Sequence, residues 1–206
     1  MRTSHAGLAK IIHLREEPMI RSLAMPTVAL FLCLILTACS PKTLYYKLDP
    51  DFGNINENIQ KAELVALQVT DKRSLPSLKE EQLNVKGPEQ EVELLRSLLI
   101  ERFKSENKKI ISKPLLADLA FLIEIKQLEV ILSPGTFKSE FSATSHFQLT
   151  VTKKGETWSK IFRASRTQEV ANPVNSNEAT GLINQLLSEQ FNKAFSDSGL
   201  KQLIEQ

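Results

Sequence analysis

The chain has 206 residues, 42% hydrophobic and 24% charged, the balance of an ordinary globular protein with a single core. Residues 1–38 carry four basic and two acidic side chains, so of the 26 basic and 24 acidic residues in the whole chain, 22 of each remain from Cys39 onward. A formally neutral body lacks the clustered phosphate-neutralising charge of a nucleic-acid binder, which excludes DNA and RNA as partners.

The first element in chain order is a targeting segment. Val28 to Leu36 is an unbroken apolar run, of signal-peptide length and too short to span a bilayer. Leu36-Thr37-Ala38-Cys39 follow it and resemble a bacterial lipobox: a branched apolar residue, two small ones, then cysteine. The resemblance implies that the Cys39 thiol takes a diacylglyceryl group, a peptidase cuts where the small side chains precede the bond, and the freed amino group is acylated. Residues 1–38 are therefore expected to be a lipoprotein signal peptide. A start at Met19 leaves a short leader with Arg21 as its positive charge and drops Glu16 and Glu17, so Met19 is the expected initiator. Cys33 departs with the leader and Cys39 is acylated, so the mature chain has neither a disulfide nor a thiolate for a metal. Each buried methylene contributes about 0.8 kcal/mol, enough for two or three chains to hold the protein on a membrane. Asp after the acylated cysteine favours inner-membrane retention in enterobacterial-type sorting; Ser40 stands here instead, which by that resemblance implies a periplasm-facing outer-membrane location.

Residues 39–60 are polar, with Pro41, Pro50, Gly53 and several Asn and no sustained period, and are predicted to be a flexible tether reaching roughly 25 Å. Tyr45 and Tyr46 suit either the membrane interface or docking onto the body. A single domain is expected over 61–206. Ala62 to Thr70 alternates as a mostly buried strand, ending at Asp71-Lys72-Arg73, and a polar loop leads to Gly87. Pro88 with Glu89, Glu91 and Glu93 signals a helix start, and Val92, Leu95, Leu98, Leu99 and Phe103 form its apolar stripe.

A short strand is expected at Ile110 to Ser112. Leu119, Phe121, Ile123 and Ile125 then share one parity, and beyond Lys126 the apolar set passes to Leu128, Val130 and Leu132, a change of phase that predicts a bulge. Ser133-Pro134-Gly135 makes a turn. Phe137, Phe141, Ala143, Phe147, Leu149 and Val151 form the packed parity of the next strand, and Lys153-Lys154-Gly155-Glu156 turns it into a strand from Thr157 to Thr167. Asn175 and Glu178 make a capping pair for a helix with Ala179, Ile183, Leu186, Leu187, Phe191, Ala194 and Phe195 inward, with Gly199 as its stop. The predicted fold is α+β: an antiparallel meander of about four strands with two amphipathic helices on one face.

With these elements in place, the chain resembles the YajG family of bacterial outer-membrane lipoproteins. The likeness rests on Val69-Thr70-Asp71-Lys72-Arg73, the first helix through Leu94-Leu95 and Phe103, the strands from Leu119 onward, and Phe162-Arg163-Ala164-Ser165. It implies a lipid-anchored α+β domain and carries over no catalytic residue. Ser105-Glu106-Asn107 depart from the pattern, which has a glycine in that turn.

Chemistry is sparse. His146 is the one histidine after the leader, and it lies on the polar parity of its strand, where a solvated side chain outweighs a catalytic base. No nucleophile elbow, P-loop or dinucleotide fingerprint is present in the sequence, so no cofactor is expected beyond the covalent diacylglycerol and N-acyl group. Asp71 with Arg73, and Arg163 with Arg166, are the candidate ligand or partner contacts. For the first pair a local strand-end salt bridge is the stronger reading, and for the second, solvent-exposed charge outweighs an anionic ligand. The expected function is a non-enzymatic binding or assembly accessory for another envelope protein. The alternatives are a carrier or sensor of a small ligand, lipid or peptidoglycan fragment, and an enzyme of unfamiliar design. Oligomeric state is not readable.

Overall fold

A computed structural model describes residues 43–53, 55, 59, 62–73 and 85–206. The expected leader, its start at Met19, the lipobox Leu36 to Cys39, and Ser40 lie outside the described residues.

Among the described residues the strands and α-helices are, in order, β1 (Leu44–Tyr45), β2 (Leu64–Asp71), β3 (Val85–Lys86), α1 (Glu91–Ser105), β4 (Lys109–Ile111), β5 (Leu119–Ser133), β6 (Lys138–Lys153), β7 (Glu156–Ala171), α2 (Ser176–Phe195) and α3 (Ser198–Glu205). The main sheet has the order β4-β2-β5-β6-β7, and β1 pairs with β3 in a two-stranded ribbon. The long strands β5, β6 and β7 are the predicted antiparallel meander. Their register shifts between Ile125 and Gln127, where the parity of the apolar residues changes. The α+β class therefore holds, with five strands in the sheet.

One strand departs from the meander. β2 runs parallel to both β4 and β5, because the helix α1 intervenes between β2 and β4 and returns the chain to the same end of the sheet. To reach β5 the chain then passes below the start of β2. Asp118 fixes this crossing: its carboxylate accepts the backbone N–H of Glu63 at 2.9 Å and of Leu64 at 2.8 Å. These bonds hold the Asp118 carboxyl below the ordinary carboxylate range.

The helices cover one face of the sheet. Leu95, Leu99 and Phe103 of α1 are fully buried, as are Ile183, Phe191 and Ala194 of α2. Phe147 of β6 stacks on Phe191 at 4.6 Å and on Phe162 of β7 at 5.4 Å, which ties the meander to α2. The opposite face, with Thr150, Gln148, Ser159 and Arg163, is polar and half-buried or exposed. Phe137 is a correction: it precedes β6 in the turn and is 85% exposed, so the packed parity begins at Ser139 and Phe141.

Of the capping and stop signals read from the sequence for α2, one holds and one does not. Asn175 and Glu178 form the expected reciprocal capping box. α1 closes on a Schellman motif, with Lys108 N–H bonded to Phe103 O and Asn107 N–H to Lys104 O. Asn107 takes the left-handed φ of 60° there, a conformation that asparagine tolerates better than most residues. Gly199 does not stop α2. That helix ends at Phe195, and Asp197 caps a further helix, α3, with Gly199 in its first turn donating to the Asp197 carboxylate at 2.9 Å.

The expected flexible tether also needs correcting over residues 43–53. This segment lies as an extended strap along α2. Leu44, Tyr46, Leu48 and Phe52 are buried, and Phe52 meets Phe191 edge-on at 5.1 Å. On the other parity, four backbone N–H groups donate to four side chains of α2: Tyr45 to Ser176 Oγ at 3.3 Å, Lys47 to Thr180 Oγ1 at 3.1 Å, Asp49 to Asn184 Oδ1 at 2.9 Å and Asp51 to Ser188 Oγ at 2.8 Å. Two residues of extended chain advance about 6.7 Å, and one helical step of four residues about 6 Å, so the two repeats stay in step along the contact. Tyr46 thus docks onto the body, while Tyr45 is 60% exposed.

Candidate functional site

Asp71 and Arg73 meet at the end of β2, and the structure gives them two further partners. Arg73 donates through Nε and Nη2 to the Asp71 carboxylate, at 2.7 Å for the Nη2 bond, and through Nη1 to Glu91 Oε2 at 2.5 Å. The Tyr46 hydroxyl donates to the other Glu91 oxygen. Hydrogen bonds from the Arg73 side chain hold the Asp71 carboxyl below its usual range. Burial and then the Glu91 charge push the Tyr46 phenol above its ordinary value, which keeps it a donor. Glu91, read from sequence as one of three charges favouring a helix start, is the buried anchor of this network. Asp71, Arg73, Glu91 and Tyr46 together clasp the strap to β2 and α1, with the Arg73 guanidinium shared between two carboxylates.

Gly87 allows the closure. A β-carbon at this position would stand 2.3 Å from Glu91 Oε1 and 2.6 Å from the Tyr46 hydroxyl oxygen. The sequence signal for this cluster was a glycine two residues ahead of a glutamate pattern, which by itself reads only as a loop.

Arg163 and Arg166 both sit on β7, on opposite faces. Arg163 pairs across the strand with His146 and donates to its Nε2 at 3.3 Å, on the polar face. Burial first, then the nearby Arg163 and Lys126 charges, lower the His146 pKa, so the imidazole is a neutral acceptor at neutral pH. Arg166 lies on the helix side and bridges to Glu189 of α2 at 2.6 Å. The two arginines therefore do not converge on one anion.

What they share is an edge. β7 is 16 residues long and terminal in the sheet, so half of its backbone N–H and C=O groups face outward. Beside it a groove of about 570 Å³ opens between β7 and α2, lined by Lys160, Ile161, Phe162, Arg163, Ala164, Leu186, Glu189, Gln190 and Lys193. Gln190 is buried; its amide nitrogen donates to Ser145 O at 3.3 Å, and its Oε1 has no hydrogen-bond partner among the described residues. Lys160 pairs with Asp197 at 2.6 Å; burial works against the ionised Asp197, but this bond and the Gly199 N–H hold its carboxyl low. Three cations against one anion in the lining leave the groove electropositive. The strand itself is held rigid from beneath by Phe162 in the aromatic stack.

A second cleft of about 670 Å³ lies at the far end of β6, lined by Leu115, Asp118, Lys153, Lys154 and Ile204 among others. Neither cleft gathers acids with strongly perturbed protonation, the mark of an acid–base centre. Among the described residues no cluster of His, Cys, Asp and Glu has the makings of a metal site, and no helix is long and apolar enough to cross a membrane.

Residues 50–205 match the model of the YajG family, described as an uncharacterized lipoprotein family, and the chain belongs to it. No curated protein matches. Among solved structures, a Xanthomonas campestris protein of the DUF330 family is similar at a TM-score of 0.46 and 12% identity, over 78% of this chain and 97% of that one. A lipoprotein of Neisseria meningitidis aligns at 0.32 and 8% identity, covering 66% and 99%. A putative neuraminyllactose-binding hemagglutinin homolog from Helicobacter pylori aligns at 0.32 and 11%, covering 77% and 91%.

Proposed function

We propose that this member of the lipoprotein family is a non-enzymatic accessory of the bacterial envelope, acylated on Cys39 at the outer membrane, that binds another envelope protein along β7. The observation that carries the reading is the 16-residue strand that ends the sheet among the described residues, with an outward row of backbone groups along its length and an electropositive groove beside it. Strand addition supplies affinity through main-chain hydrogen bonds, and side-chain pockets supply selectivity. The lining charges favour an extended segment with acidic residues. The partly satisfied Gln190 amide gives such a segment one further donor or acceptor to meet.

The charged residues Lys160, Arg163, Arg166 and Glu169 on β7 serve a second purpose. They oppose indiscriminate pairing between copies, as charges on natural edge strands do. Carriage of a small ligand is the weaker reading, because aromatic side chains pack on one another between sheet and helices and the two clefts described open on the surface.

Site-specific photocrosslinking in cells tests this. A photoreactive residue at Ile161 or Ser165 of the full chain is expected to join one dominant envelope protein, while one at Ile111 of the short opposite edge does not. Equal yields at both edges, or adducts only from the β4 edge, would refute the assignment. Mass analysis of the same material reads the acylation of Cys39 and the loss of residues before it.

A further inference from the structure

The strap, the end of β7 and the turn before β6 all reach the same end of the molecule. Tyr45 bonds to Ser176 at the first turn of α2, four residues after Asn172, and the Asn172 N–H donates to Phe137 O at 3.1 Å. Two large apolar side chains stand in water there: Phe137, 85% exposed, and Tyr45. The turn that carries Phe137 is braced. Asn172 Nδ2 donates to Gly135 O at 2.7 Å and to Thr136 O, and Ser139 donates to Asn172 Oδ1 at 2.7 Å. This bracing holds the phenylalanine outward, offered to whatever surface lies nearest.

Chain length says to what. Only residues 40–43 separate Cys39 from the docked strap at Leu44. Fully extended, the five steps from Cys39 to Leu44 span about 17 Å. With Cys39 acylated, as the reading above has it, this end of the body cannot leave the immediate neighbourhood of the headgroups. The opposite end, with Leu115, lies a full β-strand away.

We propose that the end bearing Phe137 and Tyr45 is a membrane-contact face, Phe137 entering the interface between headgroups and acyl chains and Tyr45 lying at headgroup level. The apolar ring and polar hydroxyl of tyrosine favour headgroup level, and the wholly apolar ring of phenylalanine gains by passing below it. Lys86, paired with Tyr45 in the β1–β3 ribbon, and Lys138 are balanced by Glu140 and Glu169, so apolar insertion rather than charge provides the contact. The anchor supplies the affinity; Phe137 and Tyr45 set the orientation, which turns the length of β7 away from the bilayer surface and leaves its far end free.

The test uses the full acylated chain in vesicles of phosphatidylethanolamine and phosphatidylglycerol. Phe137→Cys and, separately, Leu115→Cys receive an environment-sensitive fluorophore; Cys39 is acylated and does not compete for the label. The fluorophore at position 137 is expected to shift to the blue and to be quenched by nitroxide-bearing lipid, and the one at 115 to stay water-like. Both replaced side chains are exposed, and circular dichroism checks that the fold is kept. Acylated protein with a water-like signal at 137 overturns the proposal alone; a mature chain without acyl groups on Cys39 overturns the anchor it rests on.

Discussion

Replacing Arg73 by methionine tests whether the Asp71–Arg73–Glu91–Tyr46 cluster is a structural clasp. Methionine keeps the length of the side chain and removes its charge and donors. Glu91 is 8% exposed and loses its cation, while Arg73, at 28%, sits where water reaches part of the pair. Opposite charges about 4 Å apart attract by about 4 kcal/mol at an effective dielectric constant near 20. Breaking a fully buried pair costs about 3–5 kcal/mol, and the partial exposure of Arg73 lowers this to about 2–3 kcal/mol. For a domain of this size each kcal/mol moves Tm by about 2–4 °C, so thermal unfolding by circular dichroism should fall by about 5–10 °C. Adding Glu91→Gln to Arg73→Met should restore part of the loss, because the stranded charge goes with it. A change below about 0.5 kcal/mol, or an additive double variant, would show a solvated rim pair and return Arg73 to the ligand candidates.

Three further outcomes follow from the same geometry. Phe52→Ala removes the edge-on contact with Phe191 and should destabilise by about 3 kcal/mol in urea melts, with hydrogen exchange at Lys47 and Asp49 rising more than in the sheet; unchanged exchange there would contradict strap docking. Gly87→Ala places a β-carbon against Glu91 and Tyr46 and should cost about 2 kcal/mol, whereas Gly181→Ala, where a β-carbon meets open space, should not destabilise. Asp118→Ala should cost about 1 kcal/mol at neutral pH by leaving two N–H groups at the start of β2 without their acceptor. Because the folded pKa of Asp118 lies below its unfolded value, this contribution is complete above about pH 4 and fades as pH falls through the folded value. The gap between wild type and variant should therefore close in acid, and a gap constant with pH would refute the charge-based account.

Local pattern made much of this fold legible. The parity switch around Lys126 announced the bulge, Asn175 with Glu178 announced the α2 cap, alternation announced β5 and β6, and the Lys153 to Glu156 turn announced β7, because each of these signals is read from neighbouring residues. The parallel insertion of β2 has no such signal: which strand lies beside which depends on partners far along the chain. The strap is more instructive. Leu44, Tyr46, Leu48 and Phe52 do alternate with polar residues, but Pro50 and Gly53 mask the period when the segment is read by itself. Its complement lay elsewhere, in Ser176, Thr180, Asn184 and Ser188, a stripe of short polar side chains at four-residue spacing on α2. Read together, the two stripes specify the contact. At the site, Arg163 and Arg166 were correctly placed on one strand, but the sequence could not show that this strand ends the sheet.

The pairing of strap and helix also sets how the molecule answers traction. The strap and α2 run in the same direction, since Tyr45 meets Ser176 and Asp51 meets Ser188. A tug at residue 43 along the helix axis therefore strains all four linkages at once, in shear, instead of peeling them one after another. Sideways traction would open them singly from Tyr45. The body thus resists being dragged lengthwise more firmly than being lifted off, a mechanical asymmetry written into one row of serine, threonine and asparagine.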